Sequence, residues 1–459
     1  MTYDLLIKVV AFGPDNGLCS GIFHYLAIAF YGKHYNYHVV KAHMQNVYVA
    51  RQPIFDGNKN IYAYELLFRD GTANYMPDID GDVATTSLLT NTIFTIGLDT
   101  LTGGKKAFIN FTENLLEKKV PLLLPKGTTV IEILEDVKPN SLLIDACKQM
   151  AEDGYLIALD DFVYKPELEP LISLANIIKF DFRSTSKEAI DAYLSEISQS
   201  NLCLLAEKIE THEELDAAKR MGFELFQGYF FCKPEILQGR EIKGNQLNLM
   251  MIMAQINSDT FSWDELEQLI SRDIGLSYKL YKYLNSAFFS RVSKVSSVKQ
   301  ALVYLGENEF RRFVSLIAMS QLAKGKPNEL IRAACIRGKF CELLGTEVQE
   351  KTSSPSEMFT LGMFSLIDAV IDQPMDKILS KLPLSSKIKD ALVDAKGRLA
   401  GYIELSRSYE AGRWDRVSRL SQALKLDDEM LSNAYLRACQ WSNITFKASL
   451  EESANKKHN

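Results

Sequence analysis

Between about residue 44 and residue 235, short apolar runs alternate with helix-like segments, and this alternation limits the possible folds more than any other property of the chain. Amphipathic segments such as SLLIDACKQMAEDG and HEELDAAKRMG end in glycine, a usual residue after a helix. Repeated strand–helix units favour a largely parallel sheet covered by helices. The apolar runs are VYVARQPIF, YAYELLF, KAFINF, TVIEIL, YLIALDDF, NIIKFDF, LCLLAEKI and LFQGYFF. Eight runs predict an α/β domain, a TIM-like (β/α)₈ barrel with trimmed helices.

The second half of the chain has no strand pattern. From about residue 240, segments such as NQLNLMMIMAQI, NEFRRFVSLIAMSQLA and NELIRAACIRGKFCELLG carry apolar residues at helical spacing. This pattern predicts an all-α domain. We therefore place a barrel domain at 44–238, a helical domain at 239–448 and a polar, frayed tail at 449–459.

The first 43 residues differ in character from the rest. They hold four of the six histidines, at positions 24, 34, 38 and 43, and show neither a helical nor a strand period. The spacing of these histidines fits no tight metal site. The ordered pattern starts directly after Met44, so we interpret Met44 as the natural start and 1–43 as a non-native or disordered extension.

Composition and charge narrow the function classes. Of 459 residues, 47% are apolar and 24% charged, as in folded soluble proteins. The net charge of −6 provides no general attraction to DNA or anionic lipid, and no apolar run reaches the roughly 18 residues of a membrane helix. The seven cysteines form no CxxC pair, which is typical of reduced thiols. We expect a cytoplasmic protein without DNA or membrane partners.

A polar residue recurs at the end of almost every predicted strand. These residues are Glu65, Asn110, Glu132, Asp160 with Asp161, Lys179, Glu207 and Gln227. Active sites of parallel barrels lie at the C-terminal ends of the strands. Carboxylates gathered there repel each other unless cations hold them, and oxygen ligands suit Mg²⁺ or Mn²⁺. With Arg69 to hold an anionic substrate, the pattern favours phosphoester hydrolysis.

Residues 47–231 resemble the EAL domain, the family of cyclic di-GMP phosphodiesterases. Glu65-Leu66-Leu67 stands where the family has Glu-Ala-Leu, and Arg69 follows it. The other matching motifs, in the family's order, are QPI at 52–54, Asn110 in FINF, IEILE at 131–135, LDDF at 159–162, IKFD at 178–181, AEKIE at 206–210 and FQGYFF at 226–231. Each motif is weak alone, but together and in order they are specific.

The resemblance implies a two-metal site that binds Mg²⁺ or Mn²⁺. The implied ligands of the first ion are Glu65, Asn110, Glu132 and Asp160. Asp160 would bridge to a second ion, which Asp161 would also hold. Lys179 would position the attacking water and Glu207 would act as general base, giving linear pGpG.

The resemblance also implies substrate contacts and a supporting residue. The implied contacts to cyclic di-GMP are Gln52, Arg69 and Gln227, and Glu135 would brace the loop after LDDF. In that loop this chain reads DDFVYKPELEPL, where active members have a Gly-Thr-Gly-Tyr-Ser-Ser segment. Pro166 and Pro170 make it stiffer, and in the family this loop helps to place the second metal and supports homodimer contacts.

Three interpretations of the barrel therefore stay open: an active phosphodiesterase, a non-catalytic cyclic di-GMP receptor and a degenerate structural barrel. The ligand set favours catalysis, whereas the altered loop favours weak, conditional or absent catalysis. A carbohydrate-active barrel would use two paired carboxylates without metal. Asn110, Lys179 and the double Asp fit that chemistry poorly.

The helical half resembles the HDOD domain, a relative of HD phosphohydrolases that lacks their metal-binding pair. The resembling segments are SRDIGLSYKLYKYLNSAFF at 271–289, SSVKQALVYLG at 296–306 and LGMFSLIDAV at 361–370. No histidine lies between His212 and His458, which excludes a histidine-based hydrolase centre there. An EAL domain followed by an HDOD domain resembles the YuxH type of bacterial signalling protein. The helical half would then contact an unknown signalling partner.

Overall fold

The computed structural model describes residues 47–70, 97–197, 202–234, 242, 244–257, 262, 298–348, 350 and 353–450. The predictions for 1–43, for 271–289 and for the tail after residue 450 lie outside these ranges. The chain from Asn46 onward forms one compact unit. The domain boundaries at 238 and 448 therefore stay predictions.

Eight strands form a closed barrel in sequence order. They are β1 Val47–Asp56, β2 Ile61–Asp70, β3 Lys106–Phe111, β4 Thr129–Ile133, β5 Leu156–Leu159, β6 Ile177–Asp181, β7 Cys203–Glu207 and β8 Leu225–Gln227. Neighbours from β2 to β8 are parallel, as predicted. Each predicted apolar run contributes one strand, which confirms the barrel.

Strand β1 is the exception, because it is antiparallel to both β2 and β8. A turn of four residues, 57–60, separates β1 from β2, which is far too short for the crossover that parallel strands need. Asp56 fixes this turn, since its Oδ1 accepts hydrogen bonds from the backbone N–H groups of Asn58 at 2.9 Å and Asn60 at 2.8 Å. This reversal was not predicted from the sequence.

Helices cover the outside of the barrel. They are α1 Leu98–Thr102, α2 Glu113–Glu117, α3 Ser141–Glu152, α4 Glu169–Ile172, α5 Lys187–Glu196 and α6 His212–Arg220. The helix α3 turns Leu143, Cys147 and Met150 inward at helical spacing, and Asn140 caps its start. Three of these helices have only four or five residues, which agrees with the trimmed barrel expected for this length.

From residue 244 the described ranges contain helices and no strands, as predicted for an all-α half. They are α7 Gly244–Ile256, α8 Val298–Leu322, α9 Asn328–Glu347, α10 Pro355–Phe364, α11 Ile367–Ile371, α12 Met375–Leu379, α13 Ser386–Val393, α14 Gly397–Glu410, α15 Trp414–Leu424 and α16 Asp428–Leu450. Gly306, with φ of 72°, kinks α8. Ser354 and Glu357 form a capping box that starts α10.

The long β1–β2 hairpin joins the two halves. These strands have ten residues each, whereas β3–β8 have three to six. The excess length extends past the barrel, where Ala50 is buried in the apolar core of the helical half. Leu67 also lies close to Gly412, since a Cβ atom added to Gly412 would be 2.7 Å from Leu67 Cδ1. The helical half therefore packs against the two strands that lead into the barrel mouth.

Two sequence-based expectations concern the environment of the chain. No helix in the described ranges is both long and apolar enough to cross a membrane. The cysteines of the described ranges, from Cys147 to Cys439, are free thiols.

Candidate active site

The polar residues predicted from strand ends form one layer inside the barrel. Below them lies an apolar layer made of Ile54, Ala63, Phe108, Val130, Ala158, Ile177, Leu205 and Leu225. From β2 to β8, one predicted polar residue per strand stands two positions after the apolar one, so it points to the same side of the sheet one step nearer the mouth; Asp161, three positions after Ala158, is outside this spacing. On the reversed strand β1, Gln52 stands two positions before Ile54 instead.

Lys179 lies at the centre of this layer and is completely buried. Its Nζ lies 2.7 Å from Asp160 Oδ1, 2.7 Å from Glu207 Oε1 and 3.6 Å from Glu65 Oε2. It also forms an ion pair with Glu132, which is completely buried too. We call Glu65, Glu132, Asp160 and Glu207 the carboxylate cluster. The structure thus brings together the carboxylates that the sequence placed on separate strands.

The charge balance of the carboxylate cluster perturbs its proton affinities. Burial raises the pKa of Glu132 well above its usual value, and the neighbouring carboxylates raise it further. Lys179 has the opposite effect but does not outweigh them. The same causes raise the pKa of Glu207 to about 8. Burial alone would lower the pKa of Lys179, but the four carboxylates outweigh it and raise the pKa. One ammonium group therefore faces an excess of negative charge.

Amide side chains complete the layer. Gln227 Nε2 donates to Glu65 Oε2 at 2.6 Å and to Gln52 Oε1 at 3.0 Å. Asn110 Nδ2 lies 3.4 Å from Glu65 Oε1. The amide groups of Gln52, Asn110 and Gln227 therefore lie around Glu65 and hold its carboxylate in place.

The donor set fits divalent cations. Three buried oxygens, Asn110 Oδ1, Glu132 Oε2 and Asp161 Oδ1, accept no hydrogen bond from any residue that the structure describes. Carboxylate oxygens of Asp160, Asp161 and Glu207 lie within 4.8 Å of one another. Uncompensated buried oxygens close to several carboxylates are what a hard cation such as Mg²⁺, Mn²⁺ or Ca²⁺ coordinates.

Two residues that the sequence analysis did not assign lie beside Asp161. Lys208 Nζ forms an ion pair with Asp181 Oδ2 at 2.6 Å and lies 3.6 Å from Asp161 Oδ1. Both Asp161 and Lys208 have positive φ angles, 37° and 57°. Such backbone conformations are costly without glycine and are common at functional sites. Asp181 ends β6 and Lys208 follows β7, so the rule used for the other strand ends would have found both.

Two predicted residues need separate description. Arg69 lies on β2, but its side chain is outside the described part of the structure. Glu135 is exposed and makes no hydrogen bond to another described residue. It lines a pocket of about 280 Å³ together with residues of the loop after Asp160, among them Phe162, Val163 and Lys165. The bracing role of Glu135 stays a prediction.

The loop DDFVYKPELEPL takes its own conformation at the mouth. Val163 is exposed, and the chain then forms a 3₁₀ turn at Pro166–Leu168 that leads directly into α4. The two prolines lie in the first turns of these short helices, where a missing N–H group costs little. Only four residues, 162–165, therefore separate Asp161 from regular structure.

Two known domain families match this chain, one in the barrel half and one in the helical half. The EAL domain family matches residues 89–234, and the HDOD domain family matches residues 247–376. The first match begins after β1 and β2, although both strands complete the barrel.

Full-length relatives are similar over both halves. The chain is 36% identical over 403 residues to the uncharacterized protein YuxH of Bacillus subtilis, covering 86% of this chain and 98% of YuxH. It is also 36% identical over 403 residues to the cyclic di-GMP phosphodiesterase CdgJ of Vibrio cholerae, covering 87% of this chain and 93% of CdgJ. Among solved structures, the Bacillus subtilis YkuI protein, with an EAL domain and in complex with substrate c-di-GMP and calcium, is 20% identical. That match covers 60% of this chain and 74% of YkuI, with a TM-score of 0.35.

Proposed function

The chain belongs to the family of EAL–HDOD proteins that includes YuxH and CdgJ, and from this premise we propose that it hydrolyses cyclic di-GMP to linear pGpG in a reaction that requires divalent cations. The observation that carries the proposal is the carboxylate cluster around Lys179 at the mouth of the barrel. The similarity to CdgJ, which spans 93% of that phosphodiesterase, supports the choice of substrate.

The cations are Mg²⁺ or Mn²⁺ in this proposal. The residues that would hold them are Glu65, Asn110, Glu132, Asp160 and Asp161. The unsatisfied oxygens of Asn110, Glu132 and Asp161 support this assignment. When bound, the ions would polarise the phosphodiester and lower the pKa of water.

Lys179 and Glu207 would act on the attacking water. The ammonium group of Lys179 carries three protons, and in this structure it contacts Glu132, Asp160 and Glu207 at close range. To donate a hydrogen bond to the attacking water, it would exchange one of these three carboxylate contacts for the water molecule. The raised pKa of Glu207, about 8, makes its ionised carboxylate a stronger base than an ordinary glutamate.

Gln52, Gln227 and Arg69 would bind the dinucleotide. The amides of Gln52 and Gln227 hydrogen-bond each other at 3.0 Å and so present a joined polar edge near Glu65. Arg69 keeps its predicted role in phosphate binding because it lies on β2 four residues after Glu65. Glu135 would brace the neighbouring loop from its place in the shared pocket.

The test is an assay of the full-length protein with cyclic di-GMP. We expect pGpG to form with Mn²⁺ or Mg²⁺ and to be absent with excess chelator. Glu65→Ala and Lys179→Ala should abolish product formation while near-native circular dichroism shows that the fold persists. Product formation that is unaffected by the chelator would contradict the proposal.

A non-catalytic cyclic di-GMP receptor is the second candidate. Two observations favour it: the proline-containing loop after Asp161, and the ion pair that Lys208 forms with Asp161 where a second cation would bind. In that case the protein would bind cyclic di-GMP without forming pGpG, and replacement of Gln52 would weaken binding.

The helical half would serve signalling through protein contacts. In this proposal the HDOD-like domain at 239–448 binds a signalling partner, and the protein works in the cytoplasm, with homodimer formation through the barrel. Size-exclusion chromatography with light scattering tests the homodimer directly.

A further inference from the structure

A buried charged contact from the helical half lies directly behind the active site. Glu329, in the first turn of α9, accepts a hydrogen bond at Oε2 from the Tyr64 hydroxyl at 2.6 Å. Its Oε1 lies 3.7 Å from Arg51 Nη2. The Arg51 guanidinium stacks 4.5 Å from the centroid of the Tyr64 ring, and its Nη1 donates to the Leu101 carbonyl of α1 at 2.5 Å. We call Arg51, Tyr64 and Glu329 the interdomain cluster.

The interdomain cluster is joined to the site by the pairing of β1 with β2. Gln52 and Glu65 face each other in this ladder, and each directly follows a member of the cluster, Arg51 or Tyr64. Successive side chains of a strand point to opposite faces. One face of the ladder therefore carries Gln52 and Glu65, which Gln227 bridges within the barrel. The other face carries Tyr64, which binds Glu329 of α9.

Burial makes this contact rigid. The relative exposures of Arg51, Tyr64 and Glu329 are 4%, 2% and 4%. Separation of Arg51 from Glu329 inside the folded protein would therefore leave two buried charges without water to solvate them. Burial and the neighbouring Glu329 carboxylate raise the pKa of Tyr64, which keeps its hydroxyl protonated as a donor. Arg332 Nε, 3.4 Å from Glu329 Oε2, adds a second cation to the same carboxylate.

Gln52 and Glu329 also line one small cavity. Its volume is about 40 Å³, and Tyr229 and Glu410 contribute to its wall. A residue expected to contact substrate and a residue of α9 thus line the same cavity, which is large enough for a water molecule.

We propose that Arg51, Tyr64 and Glu329 are positioning residues through which the helical half fixes the β1–β2 ladder and so sets the affinity of the barrel mouth for divalent cations and cyclic di-GMP. The identity of these ligands rests on the proposed function. The helical half is then a structural part of the active site as well as a possible surface for partners. Glu329 and Tyr64 are 265 residues apart in sequence, and their hydrogen bond fixes the distance between helix and strand.

The test is Tyr64→Phe in the full-length chain, which removes only the hydroxyl that donates to Glu329. The matched control is Tyr155→Phe. Its hydroxyl is also buried and donates to the Leu124 carbonyl at 2.7 Å, before β5 at the opposite end of the barrel. Glu329→Gln is a second variant that keeps the shape and an acceptor for Tyr64 but removes the charge opposite Arg51.

The measurements are Mn²⁺ binding by electron paramagnetic resonance, cyclic di-GMP binding by calorimetry, and kcat and KM for pGpG formation. We expect Tyr64→Phe and Glu329→Gln to weaken Mn²⁺ binding by about tenfold, the size typical for residues that orient metal ligands, while Tyr155→Phe changes it less than twofold. The double variant should lose no more than the larger single loss, because both substitutions break one unit.

The possible failures can be told apart. If the wild-type protein binds neither Mn²⁺ nor cyclic di-GMP, the proposed function is wrong and this inference fails with it. If the wild-type protein binds both ligands, but Tyr64→Phe, Glu329→Gln and Tyr155→Phe bind Mn²⁺ and cyclic di-GMP with equal affinities, only this inference is overturned. Thermal unfolding of the two Phe variants verifies that the comparison is made on folded protein.

Discussion

Lys179 Nζ lies 2.7 Å from Glu207 Oε1 at the centre of the barrel, and Lys179 is completely buried. The ammonium of Lys179 and the carboxylate of Glu207 come from neighbouring parallel strands, β6 and β7. Removal of the Lys179 charge leaves the carboxylates without compensation in a low-dielectric environment, whereas removal of the Glu207 charge reduces their mutual repulsion. The contact therefore contributes to folding and to the proposed chemistry together.

The first prediction concerns Lys179→Met, which preserves the length of the side chain without its charge. In chelator at pH 7.5 we expect the free energy of unfolding to fall by about 3 kcal/mol or more, because the carboxylate cluster then lacks the ammonium group that contacts all four of its members. Product formation should also be lost. Chemical denaturation measures the stability change. Lys396→Met is the control, since its 3.5 Å ion pair with Asp394 is at the surface and should contribute little. Equal stability of the two variants would contradict the prediction.

The second prediction follows from the pKa of Glu207, raised to about 8 in the folded protein. Between its ordinary value and 8 the folded state binds more protons than the unfolded state, so stability should fall as pH rises through this window. We expect this decline in denaturation curves recorded in chelator from pH 5 to pH 9. Glu207→Gln should make the decline shallower without abolishing it, because the raised pKa of Glu132 contributes a decline of the same sign, whereas Glu347→Gln, at an exposed ion pair with Arg437, should leave it unchanged. A decline of undiminished size in Glu207→Gln would assign it to other groups.

The third prediction concerns Lys208, which lies between Asp161 and Asp181. Its charge competes with a cation for Asp161, so Lys208→Met should strengthen Mn²⁺ binding about threefold to tenfold, as loss of one nearby like charge implies. Titration followed by electron paramagnetic resonance measures the change. The control is Lys233→Met, since Lys233 has similar exposure and pairs with Glu210 at 3.2 Å. Unchanged affinity in Lys208→Met would argue against Asp161 as a cation ligand.

The fourth prediction concerns Gly228, which follows Gln227 with φ of 146°. A Cβ at this position would lie 2.0 Å from the Ile209 carbonyl oxygen. Gly228→Ala should therefore destabilise the protein by about 3 kcal/mol or more, or prevent folding, since backbone atoms must move. Gly57→Ala is the control, because a Cβ at Gly57 would have no neighbour within 4 Å. Thermal unfolding of the two variants decides, and equal melting temperatures would refute the prediction.

Much of the barrel could be predicted because strand patterns are local. Each apolar run matches a strand, and the spacing of two residues between Ala63 and Glu65, or between Ile177 and Lys179, is already visible in the sequence. A period of two determines which side chains share a face of a strand. The amphipathic periods of the second half identify helices for the same reason, as with α9 and α14.

The missed features depend on which elements meet. Lys208 follows β7 and could have been identified as a strand-end residue, but only the structure shows that it pairs with Asp181 and lies beside Asp161. The reversed direction of β1 follows from its short turn to β2, and this reversal places Gln52 before Ile54 instead of after it. To predict where a side chain lies along the barrel axis, the direction of its strand must therefore be known.

The amino-acid sequence alone determined the strand and helix segments, the layer of polar residues above an apolar one, and the absence of a histidine-based centre in the helical half. The folded arrangement decided that Lys179 collects four carboxylates and that Glu329 reaches Arg51 and Tyr64 behind the site. The physical reason is that periodicity shows which face of an element is buried, whereas the partner that covers this face depends on contacts between residues hundreds of positions apart.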